Sequence, residues 1–194
     1  MFDWLLTWDY RIFHAINQEW VRPWMTSIIP LLRNKWIWIP VYAFLATLII
    51  EKHRWKSIWI FLAVLGGVGM TDFIVSRVLK PAIGRLRPCQ MMDSLEVIIR
   101  VPCGVGFSFP SAHGANHFFL AVVIGSVVAR DYPWLAMLLW LWAGGVAYAQ
   151  VFVGVHFPLD VIGGALLGIF VGVLIVRFVM YPIIERHRWE SLSS

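Results

Sequence analysis

Three short clusters, far apart in the chain, carry residue types that together could hold and split a phosphate ester. Lys80-Pro81-Ala82-Ile83-Gly84-Arg85-Leu86-Arg87-Pro88 supplies cations, and Pro110-Ser111-Ala112-His113 supplies a helix start with a histidine. His156-Phe157-Pro158-Leu159-Asp160 supplies a second histidine and a carboxylate. Phosphoryl transfer needs that inventory: charge neutralisation on the oxygens, a nucleophile, and an acid for the leaving group.

Each cluster has a chemical and a plainer reading. Lys80 and Arg87 lie seven residues apart, with Pro81 and Pro88 stiffening the connection. They would neutralise phosphate oxygens, with Arg85 as a third cation; snorkelling cations at a helix end would look the same in sequence. Pro110 and Ser111 open a helix whose free N–H groups point at an anion, so Ser111 is a phosphate ligand or an N-cap. His113, one turn inside, is placed to protonate a leaving oxygen, or sits satisfied at the interface. Asp160 can fix the His156 tautomer and leave the other ring nitrogen as a nucleophile, or it caps the next helix.

The elements that must position these groups are apolar. The chain is 60% hydrophobic with twelve Trp and a mean hydropathy of +0.74, against about 45–50% apolar residues in soluble domains. Apolar runs predict spans over residues 36–50, 57–76, 112–129, 134–153 and 161–181, each long enough with its flanks to cross a bilayer. Residues 4–20 mix aromatics with charges and read as an interfacial helix. Residues 23–32 are too short to cross alone, which leaves a sixth span open. The expected fold is an all-α, polytopic membrane helix bundle of five to six transmembrane helices plus an N-terminal interfacial helix, forming a single domain over residues 1–194. The pI of 9.6 arises from scattered basic residues without a polar basic face, so the bilayer, and no nucleic acid, is the expected partner. No cleavable signal peptide is read at the N-terminus, where Asp3, Asp9 and Arg11 stand among aromatics.

Counting crossings places the 78–110 and 154–160 connections, and so all three clusters, on one membrane face. Lys/Arg are tied at six per side: Lys52, Arg54, Lys56, Arg130, Arg186 and Arg188 against Arg33, Lys35, Lys80, Arg85, Arg87 and Arg100. Discounting the cations assigned to phosphate puts the site outside the cytoplasm. Cys89 and Cys103, the only cysteines, both fall in the site-side loop. A bridge between them would add roughly 3 kcal/mol and belongs to an oxidising compartment; two unrelated thiols are the alternative. Asp72, on the Lys80 face of its span, is a functional candidate or a partner of Arg77 or Lys80. His117 lines the His113 face one turn below. Gly164, Gly168 and Gly172 make a small-residue stripe for packing within the bundle or between copies.

These residues resemble the type 2 phosphatidic acid phosphatase family, which shares a helical core with vanadium haloperoxidases. Its pattern is Lys-x6-Arg-Pro, then Pro-Ser-Gly-His, then Ser-Arg-x5-His-x3-Asp. Lys80, Arg87 and Pro88 match the first element. Pro110, Ser111 and His113 match the second, with Ala112 where glycine is usual. His156 and Asp160 match the third, whose opening Ser-Arg reads Ala149-Gln150. The resemblance covers roughly residues 70–175. It implies a six-helix, metal-independent phosphatase acting on membrane lipids through a phosphohistidine at His156. By the same match His113 is the acid, Asp160 orients His156, and Lys80, Arg87 and Ser111 bind phosphate.

The departures have physical content. Gln150 keeps a hydrogen-bond donor but loses a fixed charge and a bidentate fork, for which Arg85 or Arg100 could compensate. Ala112 adds a methyl where backbone approaches phosphate. The expectation is a lipid phosphate or diphosphate hydrolase of a bacterial inner membrane, with the site on the periplasmic or extracellular side, acting first on undecaprenyl diphosphate. Phosphatidylglycerophosphate, phosphatidate and lipid A phosphates are alternative substrates, and phosphotransfer to another lipid an alternative reaction. A transporter or scramblase would put cations deeper in the spans and would not need His156. No cofactor and no metal are expected, since both histidines and the aspartate already have catalytic roles. Oligomeric state is not read.

Overall fold

The computed structural model describes residues 3–92 and 95–183; Arg186 and Arg188 of the charge count lie outside them. Eight α-helices follow one another among the described residues: α1 Asp3–His14, α2 Pro23–Ile28, α3 Ile39–His53, α4 Ser57–Phe73, α5 Lys80–Ile83, α6 Ala112–Val128, α7 Pro133–Phe152 and α8 Pro158–Ile175. Wider π turns extend α4 through Ile74–Leu79 and α8 through Val176–Met180.

The five predicted spans are present. Residues 35–83 form an apolar helical run that turns back at Arg54, whose φ is 50°. α7, with 20 residues, is about 30 Å long, the thickness of a bilayer's hydrocarbon layer. α8 and its extension continue as helix to Ile183, long and apolar enough to cross. The outward faces are as apolar as the interior: Leu65, Leu166, Phe170 and Phe178 are all exposed, which suits lipid rather than water. α2 and the 3₁₀ turn Ile29–Arg33 that follows it are together too short for a sixth crossing. The chain is a multi-pass helical membrane protein.

α6 is the hub. It packs most extensively on α8, then on α7 and α4, and its Phe119, Val123 and Val127 meet Ile60 of α4 and Leu139 of α7 in the main core. The glycine stripe settles inside the bundle. A Cβ on Gly164 would lie 2.3 Å from the Ser111 carbonyl oxygen, and one on Gly168 would lie 2.0 Å from that of Ala115. Backbone contact of this kind is what small residues in membrane helices permit. Because Ser111 and His113 open α6 and Asp160 opens α8, this contact also sets the register of the clusters. A second apolar cluster, with Phe13, Val151, Phe152, Val155 and Phe157, lies under the site.

The helix over residues 4–20 forms, but it is more than an interfacial helix. Trp4 and Trp8 are exposed while Asp9 and Phe13 are buried, and the Tyr10 and Phe13 rings each pack edge-on to Phe157 at 5.2 Å. Cys89 and Cys103 are joined by a disulfide.

Gly168→Ala should lower the unfolding free energy in detergent by about 1–3 kcal/mol, the usual range for overpacking. Gly66→Ala, where nothing lies within 4 Å, should leave it unchanged or raised. Equal thermal or denaturant midpoints for the two variants would contradict the packing assigned to α6 and α8.

Candidate active site

Local turns bring the clusters together. α5 ends at Gly84, whose φ of 66° is left-handed and lets its N–H return to the Lys80 carbonyl at 3.0 Å. The chain then reverses and carries Arg85 and Arg87 back over the bundle. α7 ends similarly: Gly154, at φ 85°, turns the chain so that the Val155 and His156 N–H groups both donate to the Gln150 carbonyl, at 3.2 and 3.3 Å. His156 therefore sits directly over Gln150. α8 begins at Pro158, with Asp160 three residues beyond the cap, where its carboxylate accepts the Phe157 N–H at 2.8 Å.

The histidine and the carboxylate meet through a third residue. Asp160 Oδ2 lies 3.5 Å from His156 Nδ1, while Ser108 Oγ donates to Asp160 Oδ2 and lies 3.2 Å from Nδ1. Since the serine proton is committed to the carboxylate, Nδ1–H donates to the serine oxygen. That fixes the tautomer and leaves Nε2 as the basic nitrogen. Arg87 Nη1 lies 3.2 Å from Nε2 and also donates to the Val155 carbonyl, while its Nε donates to Gly106. His156 is buried, and burial, with Asp160 opposing and Arg87 and Lys80 reinforcing, lowers its pKa to about 4. At neutral pH the ring is an uncharged base.

Other expected ligands are placed as follows. Ser111 is buried and caps α6, accepting the Gly114 N–H at 3.3 Å; Ala112 is the first residue of that helix. His113 is exposed at the helix head, stacked on His117 at 6.2 Å, and His117 donates from Nδ1 to its carbonyl at 2.8 Å. Lys80 is half-buried and makes no ion pair among the described residues, within electrostatic reach of Arg87 and Asp160. Asp72 points outward, with Ser76 Oγ 3.5 Å from its Oδ1.

Two expected compensating cations are each engaged by protein groups. Arg85 donates to Asp160 Oδ1 at 2.8 Å and pairs with Asp9 Oδ2, with its guanidinium 4.2 Å from the Phe157 ring centre. Burial disfavours its charge, but Asp160 and Asp9 outweigh burial and raise its pKa. Its charge is paired with two carboxylates. Arg100 is pinned to backbone carbonyls, donating to Phe152 at 2.6 Å and to Asn17 at 2.8 Å. Gln150, fully buried, accepts instead from Arg33 Nε at 3.0 Å.

Sequence reasoning missed Ser108, Asp9 and Arg33. Ser108 carries no motif signal. Asp9 stood out only as an acid within an aromatic helix; it also accepts the Leu159 N–H at 2.8 Å and so holds the start of α8. Arg33 reads in the sequence only as a charge flanking a span.

The family model of the PAP2 superfamily matches residues 57–184, and the chain belongs to that superfamily. It is 32% identical over 143 residues to the lipid A 4'-phosphatase of Bacteroides thetaiotaomicron, a match covering 72% of this chain and 63% of that protein. It is 28% identical to the lipid A 4'-phosphatase of Porphyromonas gingivalis over 98% of this chain and 80% of the relative. An undecaprenyl-diphosphatase from Sulfolobus acidocaldarius is 31% identical over 74% of this chain and 64% of its own length. The chain thus spans under two thirds of some relatives it matches. Among solved structures, Aquifex aeolicus LpxE superposes with a TM-score of 0.64 at 26% identity, covering 87% of this chain and 94% of that one. The PAP2-type phosphatidylglycerolphosphate phosphatase of Bacillus subtilis shares the fold, with a TM-score of 0.68 at 24% identity over 90% of this chain and 85% of that one.

The lowered pKa of His156 has a measurable sign. Between about 4 and the ordinary value of 6.5, the unfolded chain binds a proton that the folded chain does not. The stability this residue contributes is complete above pH 6.5 and is lost as pH falls toward 4. Wild type minus His156→Gln should therefore show an unfolding midpoint difference that declines with acidification over that window; a difference that grows would contradict the buried neutral ring.

Proposed function

We propose that this protein is an integral membrane lipid phosphatase working through a phosphohistidine at His156. The observation that carries the reading is the His156 ring itself: Nδ1 is held through Ser108 to Asp160, and Nε2 is presented beside an arginine that has no carboxylate partner among the described residues. Nε2 attacks phosphorus while Lys80, Arg87 and the α6 N-terminus neutralise the oxygens. His113, at the mouth of the site, gives a proton to the lipid oxygen as the P–O bond breaks. Water then attacks the phosphohistidine, His113 takes the proton back, and inorganic phosphate and the lipid alcohol are the products. No metal takes part in this sequence of steps.

The lipid tail would lie alongside the bundle. An apolar cavity of about 200 Å³ opens between α3, α6 and α7, lined by Trp38, Tyr42, Leu45, Leu139 and Trp142. Trp142 packs on His117 at 4.7 Å, and His117 stacks on His113, so a wall residue of the cavity is linked by ring contacts to the proposed acid. Relatives named for lipid A 4'-phosphate removal align over most of the chain and favour a lipid A-type phosphate monoester. Undecaprenyl diphosphate, the substrate read first from the sequence, is the second reading, supported by the relative named for it. The disulfide of the site-side loop supports a site on the outer side of a bacterial inner membrane.

Purified protein in detergent with EDTA should release phosphate from one of these lipids. His156→Ala should lose at least about a thousandfold in kcat, as removal of a covalent nucleophile does, with its fold retained. His113→Ala should be far less damaging for a substrate with an activated leaving group than for a lipid alkoxide. Near-normal turnover by His156→Ala would overturn the mechanism, as would complete loss of wild-type activity on chelation.

Ser108→Ala should lower kcat by roughly 5- to 150-fold, the equivalent of about 1–3 kcal/mol for a lost buried hydrogen bond, with a smaller effect on KM. An unchanged kcat would show that Asp160 orients His156 without the serine.

A further inference from the structure

We propose that Arg33, oriented by Gln150, is a substrate-binding residue that supplies the phosphate-clamping charge which the superfamily pattern places at position 150. This rests on the phosphatase reading above and adds a residue to its site from outside the segment that the family model matches, residues 57–184.

Two unfulfilled polar features meet at this point. Gln150 is fully buried, and its Nε2 has no hydrogen-bond partner among the described residues. A buried amide donor left unpaired is unfavourable unless a ligand completes it. Its Oε1 meanwhile accepts from Arg33 Nε at 3.0 Å. A guanidinium held at Nε by a neutral amide keeps its full charge, and its terminal nitrogens have no hydrogen-bond partner among the described residues, which leaves donors for a phosphate. Arg33 makes no ion pair with a carboxylate among the described residues, unlike Arg85 with Asp9 and Asp160 or Lys52 with Asp131.

The position is at the reaction centre. The Gln150 carbonyl receives the His156 N–H, Arg87 contacts the His156 ring, and Arg33 lies within electrostatic reach of both Arg87 and His113. Burial, and then the neighbouring Arg87 cation, lowers the Arg33 pKa. A buried and a half-buried guanidinium in mutual repulsion, next to an unpaired amide donor, are stabilised by an anion between them. The segment carrying Arg33 is itself fixed. Trp38 Nε1 donates to the Leu32 carbonyl at 2.9 Å, and Asn34 Oδ1 accepts the Trp36 N–H at 3.1 Å. Glutamine at 150 then has a positive reason: an arginine there would remove the acceptor that holds Arg33 and set two cations against each other.

Two readouts test this, one independent of turnover. Binding of orthovanadate and of inorganic phosphate is measured by calorimetry in detergent, and KM and kcat are measured on a short-chain lipid monophosphate. Arg33→Gln should weaken anion binding at least tenfold and raise KM similarly, with a smaller change in kcat. Arg33→Lys should fall between the two. Gln150→Arg alone should also weaken binding, and the swap of Arg33→Gln with Gln150→Arg should recover at least half of the loss on a logarithmic scale. Unchanged anion affinity in Arg33→Gln overturns the inference, as does a folded swap variant no better than Arg33→Gln, or a wild type that binds neither anion. If Arg33→Gln fails to fold, Arg33→Lys and the swap decide by the same criteria. Wild type that binds the anions through Arg33 but turns over no lipid would overturn the proposed function and leave this assignment standing.

Discussion

The buried carboxylate of Asp160 is the constraint around which the site is arranged. A charge with no solvent exposure is several kcal/mol unfavourable unless every oxygen is engaged. Oδ1 accepts from Arg85, and Oδ2 accepts from Ser108 and the Phe157 N–H. Each partner comes from a different piece of chain, so satisfying one carboxylate pins the loop after α5, the segment before α6 and the turn into α8. Arg85 then needs its own second partner, Asp9, which brings α1 across the site. The aromatic packing of Tyr10 and Phe13 on Phe157 follows from that placement.

The same logic sorts the cations. Arg85 and Lys52 sit against carboxylates, which compensate their charge. Arg87 is surrounded by carbonyls and an imidazole, and Arg33 by an amide. Neutral acceptors orient a guanidinium without neutralising it. Such groups retain the charge that an incoming anion needs, while their geometry is prepared in advance. Counting arginines near a site is therefore less informative than asking what already faces each one.

Much of this was legible in the sequence because the informative residues are close neighbours there. The five apolar runs show directly in the composition, and the parity of the crossings alone put three clusters on one face. His156 and Asp160 are four residues apart across the cap of α8, so their proximity follows from local geometry. What stayed hidden depends on distances that no spacing encodes. Arg85 and Arg87 are two residues apart, and only the left-handed turn at Gly84 decides which one meets Asp160. Ser108 relays between groups 48 and 52 positions away, in a stretch with no pattern of its own. The glycine stripe allowed an internal or an external partner, and the approach of Ser111 and Ala115 backbone selects the internal one.

The contact between Arg33 and Gln150 joins positions separated by 117 residues, one inside the family-matched region and one before it. Compared column by column, this chain is missing a cation and would be filed among degenerate homologues. In three dimensions a guanidinium stands beside the same place, reaching it from another direction. On the role proposed for Arg33, charge in a membrane site need not come from the segment that carries the motif, and a departure from a motif is weighed by what stands around it.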